Sequence, residues 1–463
     1  MENYLSKEEI STWRQPAGGF AGADKREPLR AALSQCGQFN GFQTAGRFYP
    51  IACVALEVTQ RCNLDCTLCY LSDHAEMAHD VPLEVLCRRV DMIERHYGPK
   101  TSVQITGGDP TLRTPEDLEV LCRHIRQGGM RSCLMTNGIR ATKDLLERLA
   151  AAGLDDVAFH VDLTQERPGF PTEVSLNSIR QDYICRARSV GLRVLFNTTI
   201  FDGNLAEVPA IARFMRQNAH QLALVSFQMQ AETGRGRIHA RSEDLTTNAV
   251  GKLLGHGMGA KIGFNVASVG HASCTQYDVL LVAGNRAVSA LGNAALFKDL
   301  LAKMERTEVR TGATTDIRAT LRRLLPRHPI LTVRLAVYLM SRLWRLRNGI
   351  WSSRGRVHRL SIMIHNFMDA KKLEKDRCES CVFMVATEKG PVSMCVHNAR
   401  RDVNIFAPVA IDTKEGPAWW SARTGRRTAF PSSEIPNEMP FKKLKGHLRE
   451  RAKAKRADKV LKR

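Results

Sequence analysis

Long apolar runs are missing from this sequence of 463 residues. No stretch reaches the roughly 18 consecutive apolar residues that an ordinary transmembrane helix needs. Residues 1–15 are polar and lack the apolar core of a signal peptide, so we expect the protein to stay in the cytoplasm. In that reducing compartment the 13 cysteines are not expected to form a disulfide framework, which favours metal or redox roles for them.

Acidic residues are missing from residues 322–359, which carry ten arginines and no lysine. Residues 442–463 form a second basic segment, with eleven lysines and arginines against two acidic residues. These segments account for most of the net charge of +21, and the rest of the chain is close to neutral. The pattern favours an anionic partner, either lipid headgroups or nucleic acid. For the tail, a solvated segment that only aids solubility is the alternative.

The stretch ILTVRLAVYLMSRLWRLRNGIW, residues 330–351, mixes apolar and basic residues. As a helix it places Arg334 and Arg345 on one face, apolar residues over most of the remainder, and Trp344 and Trp351 at the boundary. This arrangement predicts an interfacial helix on an anionic membrane surface. A buried helix with snorkelling arginines, or a contact between two copies, is the alternative.

Short apolar runs alternate with amphipathic helical stretches between residues 51 and 235. The predicted strands are 52–58, 102–106, 132–136, 156–163, 192–200 and 223–230. Successive βα units predict a parallel sheet, and polar strand ends favour an α/β fold with a partial (βα)6 TIM-type barrel whose site lies at the C-terminal rim. The predicted divisions are an N-terminal extension (1–50), the barrel (51–235), a C-terminal auxiliary-cluster region (236–410) with a basic amphipathic insertion (322–359), and a linker with a basic tail (411–463).

A fourth ligand is missing from the cysteine motif that follows the first predicted strand. Cys62, Cys66 and Cys69 are spaced C-x3-C-x2-C. A closed zinc site takes four ligands, and a c-type haem needs a histidine where Tyr70 stands. Three thiolates on one loop can instead hold three irons of a [4Fe–4S] cube and leave the fourth iron open to a small molecule.

This motif, followed by an aromatic residue at the end of the first strand of a βα series, resembles that of the radical SAM superfamily. The resemblance implies that S-adenosylmethionine binds the open iron through its amino and carboxylate groups. It further implies that an electron, from a reductant such as flavodoxin or ferredoxin, cleaves S-adenosylmethionine to methionine and a 5′-deoxyadenosyl radical. The radical then abstracts hydrogen from the substrate, while the protein positions the cofactor and excludes water.

A glycine turn, ITGGDPTLR (105–113), follows the second predicted strand. Two glycines allow a backbone to approach a ligand closely, and an acidic side chain can hold an ammonium group. The turn resembles the family's GGE motif, which binds the amino group of the methionine moiety. Gly107 and Gly108 match that motif, and Asp109 stands where the family has glutamate.

Polar residues also lie at the ends of the later predicted strands. Alternate residues of a barrel strand point inward, which makes these residues candidates for cofactor or substrate contacts. Their alternative role is that of a hydrogen-bonded core residue or a helix cap. The complete set of candidate cofactor-binding residues is Tyr70, Gly107, Gly108, Asp109, Thr136, Asn137, Asp162, Asn197 and Gln228.

A second group of cysteines follows the predicted barrel. Cys378 and Cys381 form a C-x2-C pair, and Cys395 lies 14 residues after Cys381. Cys274 is the nearest candidate for a fourth ligand. Together they would close an all-cysteine site for an auxiliary [4Fe–4S] cluster or for zinc. Ordinary buried or exposed thiols are the alternative.

The elements GHASC, HNFMDA and MCVHN resemble the radical SAM branch that contains the tetraether lipid synthases. This resemblance implies hydrogen abstraction from an apolar lipid chain, for carbon–carbon coupling or chain modification. Together with the basic apolar stretch, it predicts a peripheral protein on the inner membrane face with a hydrophobic, lipid substrate. Two other functions stay open: a peptide maturase with an auxiliary cluster, and an enzyme that acts on RNA through the basic tail.

Overall fold

A computed structural model describes residues 3–15, 24–236, 241–264, 266–413, 416–431 and 435–436. The whole basic tail and the end of the predicted linker, within residues 437–463, lie outside the described residues. The strands are β1 Cys53–Thr59, β2 Ser102–Gly107, β3 Arg131–Thr136, β4 Asp156–His160, β5 Arg193–Ile200, β6 Leu222–Met229, β7 Thr275–Ala283, β8 Arg286–Ser289, β9 Arg310–Thr311, β10 Thr314–Thr315, β11 His358–His365, β12 Phe383–Thr387, β13 Gly390–Ser393, β14 Val409–Thr413, β15 Gly416–Ser421 and β16 Arg426–Thr428.

Helices connect most of these strands. They are α1 Lys7–Thr12, α2 Glu27–Gln35, α3 Leu83–Tyr97, α4 Pro115–Gln127, α5 Lys143–Ala152, α6 Asn177–Ser189, α7 Val208–Gln217, α8 Thr247–Met258, α9 Ala294–Arg306, α10 Ile317–Arg327, α11 Pro329–Ser352, α12 Lys375–Glu379, α13 Met394–Ala399 and α14 Arg401–Ile405.

One large sheet organises the molecule. Its strand order is β13-β12-β1-β2-β3-β4-β5-β6-β11-β7-β8, and β1 to β6 are parallel, each hydrogen-bonded to the next. Helices cross between these strands, so the partial (βα)6 barrel that the sequence predicts is confirmed. In such a fold the carboxyl ends of the strands meet at one rim, which is where functional side chains collect.

The sequence determines these elements locally. All seven residues of β1 are buried, as expected for a parallel strand that is covered on both faces. Thr114 and Thr142 cap α4 and α5 by accepting hydrogen bonds from backbone N–H groups three residues later. Gly153 ends α5 in the left-handed conformation, which costs glycine little.

The region after the barrel adds strands to the same sheet. β12 pairs in parallel with β1, and β11 pairs in parallel with β6 and antiparallel with β7. Residues of the C-terminal region therefore flank the barrel on both sides. The N-terminal extension also packs there, because Leu5 and Trp13 contact the apolar cluster that contains Cys378 and Cys395.

Two local expectations differ from the structure. The segment 411–463, expected to begin as a linker, starts inside a small antiparallel sheet formed by β14, β15 and β16. Its apolar side chains, Ile411 and Trp420 among them, pack with Val85 of α3, which explains why this stretch is ordered. The strand expected over 156–163 ends at His160, because Asp162 caps a short 3-10 turn over Leu163–Gln165.

Candidate active site at the carboxyl ends of the strands

The cysteine loop, residues 62–69, lies directly after β1 at the rim. Two later turns anchor it. Thr67 donates its backbone N–H to the carbonyl of Thr164 at 2.8 Å, and Asn63 accepts a 2.6 Å hydrogen bond from Asn137 Nδ2. The segments that follow β3 and β4 therefore hold the loop in place.

The three thiols of this loop lie close enough to interact electrostatically. Burial raises the pKa of Cys62 to about 12, and burial, reinforced by Cys69 and Cys62, raises the pKa of Cys66 well above its usual value. Without metal these two thiols are protonated, so iron binding must release protons. Three sulfur ligands on one anchored loop fit the open-sided [4Fe–4S] cluster that the spacing predicts.

Arg235 lies against this loop, although the cysteine and glycine motifs do not include it. Its backbone N–H donates to the carbonyl of Leu71 at 2.7 Å, and its buried guanidinium interacts electrostatically with the Cys69 thiol. Gly234 precedes it with φ of +54°, and a Cβ there would lie 2.4 Å from the carbonyl oxygen of Leu71. The sequence signal is the pattern TGRG (233–236), in which glycines let an arginine approach the cluster loop.

The glycine turn after β2 packs against the backbone that enters the cysteine loop. Gly108 donates its N–H to Thr59 at 2.9 Å, and Asp109 donates its N–H to Arg61 at 2.8 Å. A Cβ on Gly107 would lie 2.0 Å from the carbonyl oxygen of Thr59, and one on Gly108 would lie 2.0 Å from that of Arg61. No larger residue fits either position, so both glycines are required to close the rim.

Tyr70 joins the cysteine loop to this turn. Its hydroxyl donates to the carbonyl oxygen of Gly107 at 2.5 Å, and its ring lies 4.7 Å from the guanidinium carbon of Arg401. The aromatic residue that follows the cysteine motif therefore orients the glycine turn, with 37% of its surface still exposed.

Asp109 is fully buried, and its carboxylate is occupied by protein donors. It accepts from the backbone N–H of Thr111 at 3.0 Å, from the hydroxyls of Thr111 and Thr136, and from the backbone N–H of Asn137 at 2.8 Å. The side chain thus ties the end of β2 to the end of β3. Its direct contact with a bound ammonium group stays a prediction, and the geometry gives it a positioning role.

Asp162 repeats this arrangement two strands further on. It accepts from the backbone N–H of Thr164 at 3.0 Å and from that of Thr199 on β5 at 2.7 Å, and it forms an ion pair with His160 at 2.6 Å. Burial opposes its ionisation, but His160 and the hydrogen bonds outweigh it and lower the pKa of Asp162 to about 2. Asp109 and Asp162 both stand in Asp-x-Thr sequences. This short pattern indicates an aspartate that hydrogen-bonds both its own turn and the neighbouring strand.

Replacing Asp109 with asparagine distinguishes a positioning role from direct contact with the ammonium group of S-adenosylmethionine. We expect Asp109→Asn to lower the free energy of unfolding of the metal-free protein by about 2–3 kcal/mol, because charged hydrogen bonds to Thr136 and Asn137 are lost. Urea unfolding measures this change. Asp144→Asn, at an exposed position, is the matched control and should change stability by less than about 0.5 kcal/mol. Unchanged stability together with weaker S-adenosylmethionine binding would instead show direct contact.

The remaining candidates line the barrel further from the cysteine loop. Asn197 on β5 donates from Nδ2 to the sulfur of Met135 on β3 at 3.0 Å, so both side chains point into the barrel. Gln228 on β6 is half-buried and pairs with Thr199 and His365 in the sheet. No described contact joins Asn197 or Gln228 to the cysteine loop, and their cofactor contacts stay predictions.

The second cysteine group is brought together by folding. Electrostatic coupling links Cys378 with Cys395, Cys381 and Cys274, although Cys274 precedes Cys378 by about a hundred residues of chain. Burial raises the pKa of Cys274 to about 11 and raises those of Cys378 and Cys395 as well. Arg377 donates from Nε to the Cys274 sulfur at 3.2 Å. Four cysteine thiols beside a cationic donor have the ligand chemistry of a cluster whose irons are all held by cysteine.

Neither this group nor the cysteine loop is gathered around a single metal position. Within the described ranges, no group of three or more histidine, cysteine, aspartate or glutamate side chains surrounds a single metal position. His365 lines the same small cavity as Cys274, Cys381 and Cys395. Burial lowers its pKa to about 4, so its ring is neutral at pH 7 and carries one N–H.

A buried ion network lies beneath the rim. Glu57 on β1 pairs with Arg401 at 2.6 Å and with His397 at 3.2 Å, and it accepts from Gln60 at 2.9 Å. Burial opposes the charge on Glu57, but Arg401 and His397 outweigh it and hold the pKa of the carboxylate below its usual range. This network connects the barrel to the helices that follow Cys395.

Comparison with known proteins identifies the barrel. Residues 56–215 match the family described as the Radical SAM superfamily. The chain is 30% identical over 186 residues to the 7,8-dihydro-6-hydroxymethylpterin dimethyltransferase of Methanocaldococcus jannaschii, covering 39% of this chain and 36% of that protein. It is 28% identical over 171 residues to the PqqA peptide cyclase of Xanthomonas oryzae, covering 35% of this chain and 43% of that protein.

Among solved structures, that of Streptococcus suis SuiB matches over 42% of this chain and 43% of its own, with 15% identical residues and a TM-score of 0.34. The chain spans less than half the length of these curated relatives. The family match confirms the superfamily that the cysteine and glycine motifs predict. The narrower resemblance to tetraether lipid synthases stays a prediction.

Proposed function

Residues 56–215 match the Radical SAM superfamily, and on that premise we propose that this chain abstracts hydrogen from an apolar lipid chain at an anionic membrane surface. Members of the superfamily bind a [4Fe–4S] cluster and S-adenosylmethionine. When bound, this pair supplies the chemistry, because reductive cleavage of the sulfonium yields a 5′-deoxyadenosyl radical that removes a hydrogen atom from carbon.

The chain's own residues hold and orient this cofactor pair. Cys62, Cys66 and Cys69 would ligate three irons. The glycine turn packs over the cysteine loop. Tyr70 donates a hydrogen bond to the carbonyl of Gly107 in this turn, and Asp109 links the turn to the end of β3. These contacts order the rim on the side of β1 to β3.

The observation that supports a lipid substrate is the outer face of α11. One face of this helix packs inward through Leu331, Leu335 and Leu346. The opposite face is apolar and exposed at heptad-like spacing, with 77% of Ile330 and 89% of Trp351 accessible. The exposed apolar stripe, as we call it, consists of Ile330, Val333, Val337, Met340, Trp344 and Trp351.

Arginines border the exposed apolar stripe. Helical spacing of 3.6 residues per turn places Arg334 and Arg345 along one side and Arg347 along the other. Arg347 lies 4.6 Å from the Trp344 ring, and residues 322–359 contain no acidic side chain. Within the described residues, no helix is both long enough and apolar enough to span a bilayer.

An anionic bilayer is the occupant that matches this face. A stripe of apolar side chains between cationic borders suits insertion to the depth of the headgroups, with Arg345 and Arg347 paired to lipid phosphates. Arg334 forms an ion pair with Asp299 of α9 at 3.1 Å. A protein partner would need acidic residues opposite a border that spans three turns or more. A lipid substrate would then leave the bilayer beside the enzyme.

Vesicle binding tests the membrane surface. We expect full-length protein to co-sediment with phosphatidylglycerol-containing vesicles and not with pure phosphatidylcholine vesicles. The double variant Val337→Asp, Trp344→Asp should bind at least tenfold more weakly, because two charges enter the inserted face. Val174→Asp, at another exposed apolar position, is the control and should bind as the parent does.

Three results would contradict the membrane surface. Undiminished sedimentation of the double variant would exclude this face. Loss of a dimer in the double variant, without vesicles present, would identify a second copy as the occupant. Binding that survives detergent and falls steeply with salt would indicate nucleic acid.

The substrate class has a separate test. Lipid extracts from cells that express the parent protein should contain products that are absent when Cys66→Ala replaces it. Mass spectrometry of total lipids measures this difference. Identical lipid profiles, with a modified peptide present only in the parent strain, would overturn the lipid substrate.

A peptide substrate is the second candidate. It is favoured by similarity to the PqqA peptide cyclase, whose name states a peptide substrate, and by the second cysteine group. A peptide maturase would be expected to have a short precursor gene beside its own. The absence of such a gene would favour the lipid.

We also propose that Cys274, Cys378, Cys381 and Cys395 hold an auxiliary [4Fe–4S] cluster. Anaerobically reconstituted protein should then contain about eight irons per chain. Four irons with one zinc would identify a zinc site, and four irons alone would exclude a metal at these cysteines. Metal analysis by plasma mass spectrometry distinguishes the three cases.

A further inference from the structure

His365 ends β11 and faces the second cysteine group. Its imidazole lines a small cavity together with Cys274, Cys381 and Cys395. In the sheet His365 is paired with Thr275, the residue after Cys274. The ring therefore lies between the strand that begins beside Cys274 and the loop that carries Cys381.

Two aromatic rings fix the orientation of this imidazole. Phe367 stacks on it with ring centroids 5.7 Å apart, and Phe383 meets it edge-on at 4.5 Å. Only 7% of His365 is exposed. A ring packed on both sides keeps its nitrogen atoms in a constant direction.

The Nδ1 atom of His365 is buried and has no hydrogen-bond partner among the residues that the structure describes. Buried polar atoms of native proteins are almost always paired, whether with protein, water or a bound group. Other polar groups around the cavity are paired: Arg377 donates to Cys274, and His271 accepts from the backbone of Ser273. His365 therefore has a hydrogen-bonding position left for a group bound in the cavity.

We propose that His365 donates an Nδ1–H hydrogen bond to a sulfur atom of the auxiliary cluster and thereby raises its reduction potential. This inference rests on the proposed auxiliary [4Fe–4S] cluster. Cluster sulfurs accept hydrogen bonds, and each donor stabilises the more negative, reduced state. Since the four cysteines supply one ligand to each iron, the histidine is a positioning and tuning residue rather than a ligand.

The test measures the reduction potential of the auxiliary cluster in full-length protein that also carries Cys66→Ala, so that no second cluster contributes. His365→Phe keeps an aromatic ring and removes the N–H. We expect unchanged iron content and a more negative potential by redox titration with electron paramagnetic resonance. His365→Asn, whose amide N–H2 reaches the region of Nδ1, should return the potential toward that of the parent. Phe367→Leu disturbs the packing but keeps the N–H, and Phe383 still contacts the ring, so this variant should shift the potential less than His365→Phe does.

Several outcomes would overturn the inference. An unshifted potential in His365→Phe excludes the hydrogen bond. Loss of iron from His365→Phe excludes a role limited to donation. An equal shift in Phe367→Leu would assign the effect to packing. A parent protein without auxiliary iron would overturn the auxiliary cluster itself, a result distinguishable from all the others by metal analysis alone.

Discussion

Cys66→Ala is expected to abolish cleavage of S-adenosylmethionine and to lower the iron content from about eight to about four atoms per chain. Cys66 is the central residue of the cysteine loop, and its thiol couples with both Cys62 and Cys69. Two thiolates cannot hold a cube whose fourth iron must stay open to the cofactor. Anaerobic assays with dithionite, with 5′-deoxyadenosine quantified by chromatography, measure the loss.

Cys185→Ala is the matched control for this prediction. Cys185 is an exposed cysteine on α6, outside both cysteine groups, so its replacement removes one thiol without removing a ligand. The control should retain the iron content and the 5′-deoxyadenosine yield of the parent. Formation of 5′-deoxyadenosine by Cys66→Ala would overturn the assignment of the cysteine loop as the site of radical chemistry.

Glu57→Gln should lower the free energy of unfolding by about 3–5 kcal/mol, because removal of one partner of a buried ion pair leaves the other charge uncompensated. The charge left behind is that of Arg401, of which 3% is exposed. Arg401 also lies against the Tyr70 ring, so we expect weaker S-adenosylmethionine binding in addition. Urea unfolding and equilibrium dialysis measure the two effects.

The pH dependence of stability provides a second readout for Glu57. The pKa of Glu57 is depressed in the folded protein, so its contribution is present above its ordinary pKa of about 4.3 and is lost as the pH falls below it. Glu57→Gln should remove this component of acid destabilisation. Burial also lowers the pKa of His397, and its contribution is lost in the same direction, from about pH 6.5 downward.

A surface pair supplies the comparison. Glu116→Gln breaks an exposed ion pair with Arg148, and such solvent-screened pairs contribute little to stability. If Glu57→Gln were no more destabilising than Glu116→Gln, the buried network would not connect the barrel to the C-terminal helices as proposed.

The sequence by itself determined the features that depend on spacing along the chain. Alternation of apolar runs with amphipathic stretches determined the order of β1 to β6, because strands and helices impose periods of two and 3.6 residues. The C-x3-C-x2-C spacing and the glycine pair also act within one loop or turn. Their geometry is local, so the residues that contribute to it are neighbours in the sequence.

Only the tertiary structure decided which distant residues meet. Arg235 reaches Cys69, Arg401 reaches Glu57, and His365 reaches the second cysteine group through pairing of β11 with β7. No periodicity encodes these meetings, because each depends on how whole strands and helices pack. Asp109 shows the same dependence: an acidic residue after two glycines predicts an ammonium contact, which stays a prediction, and folding adds hydrogen bonds from Thr136 and Asn137 at the end of β3.

In helix α11, the sequence determined one property and the tertiary structure determined another. Its sequence determined that apolar and basic residues would share a helix, since their spacing fits helical turns. The sequence could not determine which apolar face is buried, because two faces are apolar and either could pack. The tertiary structure decided that Leu331 and Leu346 face the core and that Val337 and Trp344 face outward. The physical reason is that burial is a property of the assembled fold, in which only one side of the helix meets the cluster around α9 and α10.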